Sequence, residues 1–308
     1  MGFSHPGGKT REVGFDRWIY CTDLGDPSKF DCHPEKGSVL LKDRAGLISL
    51  ENRFEMETVN LERISSVDVH AHLDQLEDLS NSLEEAQATG VRGIIGVGMN
   101  VESNRKILRI AEESKGYVSP AIGYHPWELK EEEVEENLSF LRNHLGDCIA
   151  LGEIGLNDKA KMKKEVQWKV FRELLTIALD FNKPVILHCR FSHQHVLRIV
   201  KEQGIKRAVF HWYSGPPPVL EEILAMGYFI SATPALMYSP PHQEAIKQTP
   251  LGRILLETDA PVIYQGRESR PKDVRITLEE VARLKGPDPL EVSRQTTSNA
   301  SRFFGAPF

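Results

Sequence analysis

The sequence predicts an α/β fold: a (β/α)₈ barrel of the TIM type with a small β-rich extension at its N-terminus. Three observations lead there. From Ser66 onward, eight short apolar runs alternate with amphipathic ones over ~220 residues, the range that eight strand-helix units occupy. Runs such as "PVILH" are apolar throughout, as parallel strands buried on both faces are. The ionisable residues fall at the C-terminal ends of several different runs, whereas a doubly wound sheet gathers its site at one switch point.

The elements follow in order. "SVDVHAHL" is the first strand, and "SNSLEEAQATG" is a helix stopped by Gly90, a residue that tolerates the left-handed C-cap. "VRGIIGVGM" precedes the helix "VESNRKILRIAEESKG". "YVSPAIGYHP" precedes a helix opening on "EEEVEENLSFLRNHLG", with glutamates at the end where the helix dipole favours them. "CIALGEIGLN" leads to "KKEVQWKVFRELLTIALDFN", and "PVILHC" to "SHQHVLRIVKEQG". "RAVFHWYSG" leads to "PPPVLEEILAMG", whose prolines suit a first helical turn. "YFISATPAL" leads to a short helix near "PHQEAIKQ", and "RILLETDAP" to "DVRITLEEVARLKG". A last helix, in "DPLEVSRQTTSNASRFFG", closes the bottom or side.

Residues 1–62 stand outside this repeat, and residues 63–308 form the barrel unit. "GSVLLKDRAGLISLENRFEMET" reads as a β-hairpin or small meander with its turn near "DRAG". "GGKT" at Gly7–Thr10 resembles the end of a phosphate loop, but Phe3 stands where that loop needs glycine. His5, Cys21, Cys32 and His33 form a candidate accessory metal set whose spacing matches no common pattern, a surface loop being the plainer reading.

The 308 residues carry a net charge of −6, which argues against a globally basic nucleic-acid binder but not against a local basic patch. No apolar stretch reaches the ~20 residues of a membrane span, so no membrane partner is expected. The start lacks the basic-then-apolar layout of a secretory signal. The four cysteines are scattered without CxxC spacing, which fits a reducing cytoplasm better than a disulfide framework.

The chemistry lies at the strand ends. In "VDVHAHLD", His70 and His72 are two residues apart, so a strand points both the same way. Further ends carry His125, Glu153, His188, His211 and Asp259, on the face where barrel active sites are built. Each alone reads as ordinary core or a salt bridge. Together they read as a metal centre, because buried ionisable groups are costly unless paired or metal-bound. Four imidazoles (His70, His72, His188, His211) and two carboxylates can hold two divalent ions. His70, His72 and Asp259 would take one, His188 and His211 the other, and Glu153 would bridge. That donor set suits Zn²⁺ or Mn²⁺, with Mg²⁺ less natural. Two such ions ~3.5–4 Å apart clamp the attacking and leaving oxygens of a phosphoester.

The stretches "DVHAHLD", "IGYHP", "LGEIGLN", "LHCR", "FHWYSG", "LLETDAP" and "SNASRFFG" resemble, in order and spacing, the TatD family of metal-dependent hydrolases among the amidohydrolase-like barrels. The resemblance spans roughly residues 66–305. It implies two divalent metals and a phosphodiesterase activity, typically 3′-5′ exonuclease action on DNA by a metal-activated water. Carried over position by position, His70, His72, Glu153, His188, His211 and Asp259 match metal ligands, and His125 matches the histidine that contacts the scissile phosphate. The chain departs from the family twice. Asn157 stands where "GEIGLD" has aspartate, removing a charge near the metals and altering either the ion preference or a hydrogen bond behind them. Trp212 and Tyr213 replace the middle of "FHCFSG"; they pack the barrel, or Tyr213 offers its ring to a nucleobase.

In this reading Asp259 is ligand and proton acceptor, while His125 and Arg190 steady charge on the phosphoryl oxygens. Two basic loops face a polyanion on the same rim. "NDKAKMKKE" holds Lys159, Lys161, Lys163 and Lys164, and "YQGRESRPKDVR" holds Arg267, Arg270, Lys272 and Arg275. Lys161 and Lys163 are the expected backbone contacts. The expected partner is single-stranded DNA, handled by a monomer or small homo-oligomer. The same metal centre also suits ester or amide hydrolysis, as in a D-aminoacyl-tRNA deacylase. A catalytically silent binding scaffold is the non-enzymatic alternative.

Overall fold

A computed structural model of the protein describes residues 64–308 and three short strands ahead of them. The chain divides into two compact units, Met1–Leu61 and Glu62–Phe308. In the first, β1 (Phe30–Cys32), β2 (Val39–Asp43) and β3 (Gly46–Ser49) form an antiparallel sheet in that order. Asp43 pairs with Gly46 in this sheet. The side chains of the candidate accessory set, and the "GGKT" stretch, lie outside the described residues.

The second unit holds eight parallel strands: β4 (Ser66–Ala71), β5 (Val91–Val97), β6 (Val118–Ile122), β7 (Ala150–Asn157), β8 (Val185–Arg190), β9 (Ala208–Phe210), β10 (Phe229–Ala232) and β11 (Ile254–Leu256). They pair in chain order. All eight fall on the predicted runs. Between them lie α1 (Leu79–Ala88), α2 (Val101–Glu113), α3 (Val134–His144), α4 (Lys164–Asp180), α5 (His193–Glu202), α6 (Pro217–Ala225) and α7 (Pro240–Gln248). A two-strand ribbon, β12 (Ile263–Tyr264) and β13 (Arg267–Glu268), precedes α8 (Val274–Lys285).

The barrel closes between β4 and β11 through the bridge of Ala71 with Ala260. Backbone hydrogen bonds run from His72 to Ala260 (2.7 Å) and from Asp259 to His70 (2.9 Å). Below them the buried Asp68 carboxylate accepts the Thr258 amide (3.0 Å) and the Thr258 hydroxyl. The seam that closes the sheet therefore brings the first and last predicted ligands together.

Two apolar layers surround the strands. Val67, Ile95, Ile186, Val209 and Leu255 pack in one cluster with Phe303 and Phe304, aromatic residues of α9 (Pro289–Phe304). The last helix thus plugs the barrel opposite the ligands. On β8 and β9, the two-residue alternation of a strand continues from Ile186 to His188 and from Val209 to His211. Beyond β11 the same spacing runs from Leu255 through Glu257 to Asp259.

Candidate metal centre

His70, His72, Glu153, His211 and Asp259 are buried together, with His188 partly covered. His70 Nε2 and His72 Nε2 are 3.3 Å apart. Glu153 Oε2 lies 3.3 Å from the former and 3.5 Å from the latter, and Asp259 Oδ1 lies 3.5 Å from both. A tetrahedral ion with ~2.1 Å bonds needs neighbouring donor atoms ~3.4 Å apart. Five of the six separations among these donors meet that spacing, and His70, His72 and Asp259 form a group that could hold an ion. They fit a divalent cation better than they fit one another, because packed nitrogen and oxygen lone pairs repel.

On the other side of Glu153, Oε1 lies 2.6 Å from His188 Nδ1, 3.5 Å from His125 Nε2 and 3.7 Å from His211 Nε2. Asp259 Oδ2 is also 3.7 Å from His211 Nε2. Glu153 thus faces both ligand groups, as a bridging carboxylate must.

In His72, His211 and His125 the far nitrogen fixes what the near one offers. His72 Nδ1 lies 3.0 Å from the Val97 carbonyl, which only accepts, so Nδ1 carries hydrogen and Nε2 turns its lone pair inward. His211 Nδ1 donates to Glu257 Oε1 at 2.8 Å, with the same result. His125 is reversed: its Nδ1 accepts the Trp127 amide (3.1 Å), so neutral His125 carries hydrogen on Nε2, facing the site. It is built to donate to an oxygen, not to ligate. Burial, with the neighbouring His188, lowers the pKa of His125 to about 4 against the pull of Glu153, so it stays neutral near pH 7.

Charge agrees with this arrangement. Burial works to raise Glu153 and Asp259, but the surrounding histidines hold both carboxyls below their ordinary range. Burial opposes charge on His211, yet Glu257, Asp259 and Glu153 push its pKa up to about 10. The carboxylates draw positive charge into the pocket, and a proton or a metal ion answers the same field.

Backbone conformation is unusual at the same rim. Phe191 (φ 57), Trp212 (φ 43) and Asp259 (φ 53) are left-handed where β8, β9 and β11 end, at roughly 1–2 kcal/mol each for a residue with a Cβ. Gly155, at φ 153, passes so close to the His188 backbone that a Cβ would clash with it. That close passage keeps β7 and β8 together beneath Glu153 and His188.

The outer residues divide. Arg190 is exposed, with its guanidinium 5.1 Å from the Phe191 ring centre. Lys161 and Lys163 are exposed in the loop after β7 and have no carboxylate partner among the described residues. Tyr213 does not reach the surface: it is 0% exposed, donates its hydroxyl to the Pro216 carbonyl and packs on His193. It has no free face for a base. The second basic loop is also corrected: Arg267 pairs with Asp273, Arg270 and Lys272 with Glu85, and Arg275 with Glu279. Those cations are satisfied within the fold.

Sequence reasoning missed three residues. Glu257 sits two positions before Asp259, and that spacing was the available signal. Trp127 directly follows the "YHP" stretch, is 65% exposed and stands edge-on to His125 with ring centres 5.8 Å apart. Phe191, 64% exposed, has Arg190 on it and the Lys159 ammonium 5.4 Å from its ring centre.

Comparison with known proteins agrees with the geometry. The family described as TatD related DNase matches residues 67–305. The human protein named Deoxyribonuclease TATDN3 is 30% identical over 260 residues, 78% of this chain and 95% of its own length. An Erwinia tasmaniensis protein named 3′-5′ ssDNA/RNA exonuclease TatD is 31% identical over 243 residues, 74% of this chain and 94% of its own. The crystal structure of YJJV, a TatD homolog from Escherichia coli, is similar with a TM-score of 0.71 and 26% identity, over 80% of this chain and all of that one. With the family matched across nearly the whole barrel and the barrel's donor atoms at metal spacing, the chain belongs to the TatD-related deoxyribonuclease family.

Proposed function

We propose that this protein is a divalent-metal-dependent phosphodiesterase that removes nucleotides from the 3′ end of single-stranded nucleic acid. The observation that carries the reading is the five separations of 3.3–3.5 Å that join His70 and His72 to each other and each of them to Glu153 and Asp259. These four would hold one ion, and Glu153, His188 and His211 a second. The ions, of Zn²⁺, Mn²⁺ or Mg²⁺ type, would supply a water acidic enough to attack at neutral pH and offset phosphate charge.

The chain's own groups do the rest. Asp259 lies within reach of both ligand groups and accepts the proton released by the attacking water. His125 donates its Nε2 hydrogen to a phosphoryl oxygen, and Arg190 adds a cation at the rim. Lys161 and Lys163 hold the sugar–phosphate backbone beyond it. Trp127, Phe191, Met237, Tyr238 and Ile263 are exposed in segments that follow strands β6, β8, β10 and β11. Such a rim supports unpaired bases, which offer apolar faces, over a duplex, which presents phosphates. The Erwinia relative's name points the same way.

The described cysteines, Cys148 and Cys189, are free, in keeping with action in a reducing compartment. No described helix is long and apolar enough to cross a membrane.

The test is turnover of end-labelled single-stranded DNA with each metal, beside Asp259→Asn. Shortening from the 3′ end is expected for the wild type, and a loss of several orders of magnitude for the folded variant. Cleavage of D-aminoacyl-tRNA without attack on DNA would move the assignment to ester hydrolysis. Metal binding without turnover of either would leave a scaffold.

A further inference from the structure

Asn157 is fully buried at the end of β7. Its Oδ1 accepts the Lys159 backbone amide at 2.8 Å. That contact fixes which end of the amide is which, since an N–H must face the oxygen. The Nδ2 group therefore points at His188 Nε2, 3.0 Å away. Turning the amide over would set Nδ2 against the Lys159 N–H, donor on donor. The backbone is fixed as well: buried Gln167 accepts the Asn157 amide (3.0 Å) and donates to the Asn157 and Met162 carbonyls (3.2 and 2.9 Å).

His188 Nε2 must then be an acceptor, and the neutral ring carries its hydrogen on Nδ1. That hydrogen points at Glu153 Oε1 across 2.6 Å, a hydrogen-bond distance shorter than the 3.3–3.5 Å found among the donors of the first group. His72 and His211 are opposite, each giving its outer N–H to an acceptor, Val97 or Glu257, and turning a bare nitrogen inward. For His188 to ligate through Nδ1, the hydrogen must move to Nε2, where it meets the Asn157 amide hydrogens. An aspartate at position 157 would accept it.

We propose that Asn157 makes the two ion positions unequal: His70, His72, Glu153 and Asp259 hold a tight ion, and the His188 side holds a weak one. This rests on the two-ion reading above and specifies it. Removing the support behind a metal ligand typically weakens binding 10–100-fold, and that is the expected gap between the two sites.

The experiment is Mn²⁺ and Zn²⁺ titration of the metal-free full chain by equilibrium dialysis, for the wild type and Asn157→Asp. The wild type should bind one tight equivalent and a second 10–100-fold more weakly; Asn157→Asp should tighten the second to within a few-fold of the first. Imidazole ¹⁵N spectra of the metal-free wild type at pH 8 supply a readout independent of metal and of the variant's folding. His188 should appear as the Nδ1–H form, and as the Nε2–H form in Asn157→Asp. Two equal tight equivalents in the wild type, or an Nε2–H His188, would overturn the proposal alone. Absence of any binding would overturn the metal reading and this proposal with it.

Discussion

The Glu257 carboxylate holds His211 by Nδ1 at 2.8 Å and, with the same oxygen, the Trp212 amide at 3.0 Å. One buried acceptor thus orients the imidazole and pins the left-handed residue that follows it. Glu257 positions the His211 ring through this contact. Glu257→Gln keeps the size and an acceptor oxygen but removes the charge. We expect metal affinity to fall 10–100-fold with the barrel retained. Competition against a chelator measures it, and an unchanged affinity would reduce Glu257 to a packing residue.

Trp127 is joined to the site through its backbone, whose N–H sets the His125 ring, while its indole faces solvent. Trp127→Ala leaves that N–H in place and removes only the ring. Base stacking contributes ~1–3 kcal/mol, so KM for single-stranded DNA should rise roughly 5- to 150-fold while metal affinity holds. The loss should disappear on a strand whose 3′-terminal bases have been removed. An equal loss on that abasic strand would show that the ring supports the site rather than the base.

The surviving basic loop is tested by salt. Lys164 is paired with Asp158 at 2.7 Å and Lys159 lies over the Phe191 ring, which leaves Lys161 and Lys163 to meet phosphate. Each phosphate contact contributes ~0.7 to the slope of log affinity against log salt on single strands. The double variant Lys161→Glu, Lys163→Glu should flatten that slope by ~1.4 or more and weaken binding at low salt. A slope matching the wild type would remove both lysines from the track.

What the sequence disclosed and withheld follows from how far each effect reaches. The eight strands were legible because burial on both faces leaves continuous apolar runs. His70 and His72 were legible because two-residue spacing alone puts their Nε2 atoms together, at 3.3 Å. Asp259 was placed by its strand end, but that it sits on the closing seam depends on Asp68 and Thr258, 190 positions apart. The second basic loop misled because Arg270 finds Glu85 across 185 residues, a pairing no local pattern carries. Tyr213 could be read either way until the Pro216 carbonyl claimed its hydroxyl. The hydrogen on His188 turns on a single backbone amide, Lys159, and sequence gives no hint of that.

The acid limb of stability should trace in part to the buried His242. Its Nδ1 donates to the Tyr213 carbonyl at 2.7 Å and its Nε2 accepts the Thr233 amide at 3.1 Å, so neither nitrogen has room for a second hydrogen. Burial lowers its pKa from the ordinary 6.5 to about 4, against the pull of the Tyr213 carbonyl. Below pH 6.5 the unfolded chain takes up a proton that the native ring refuses. Stability is therefore complete above 6.5 and falls as pH drops toward 4, by ~1.4 kcal/mol per pH unit and ~3 kcal/mol in all. His125 and His193, also lowered to about 4 chiefly by burial, add to the same limb. Glutamine at 242 can serve both partners without titrating. His242→Gln should be near wild type at pH 8, and its unfolding free energy in urea, measured with a chelator present, should fall less steeply between pH 6.5 and 4.5. The difference in slope should approach one proton; equal slopes would mean that the native fold admits a charged ring at 242.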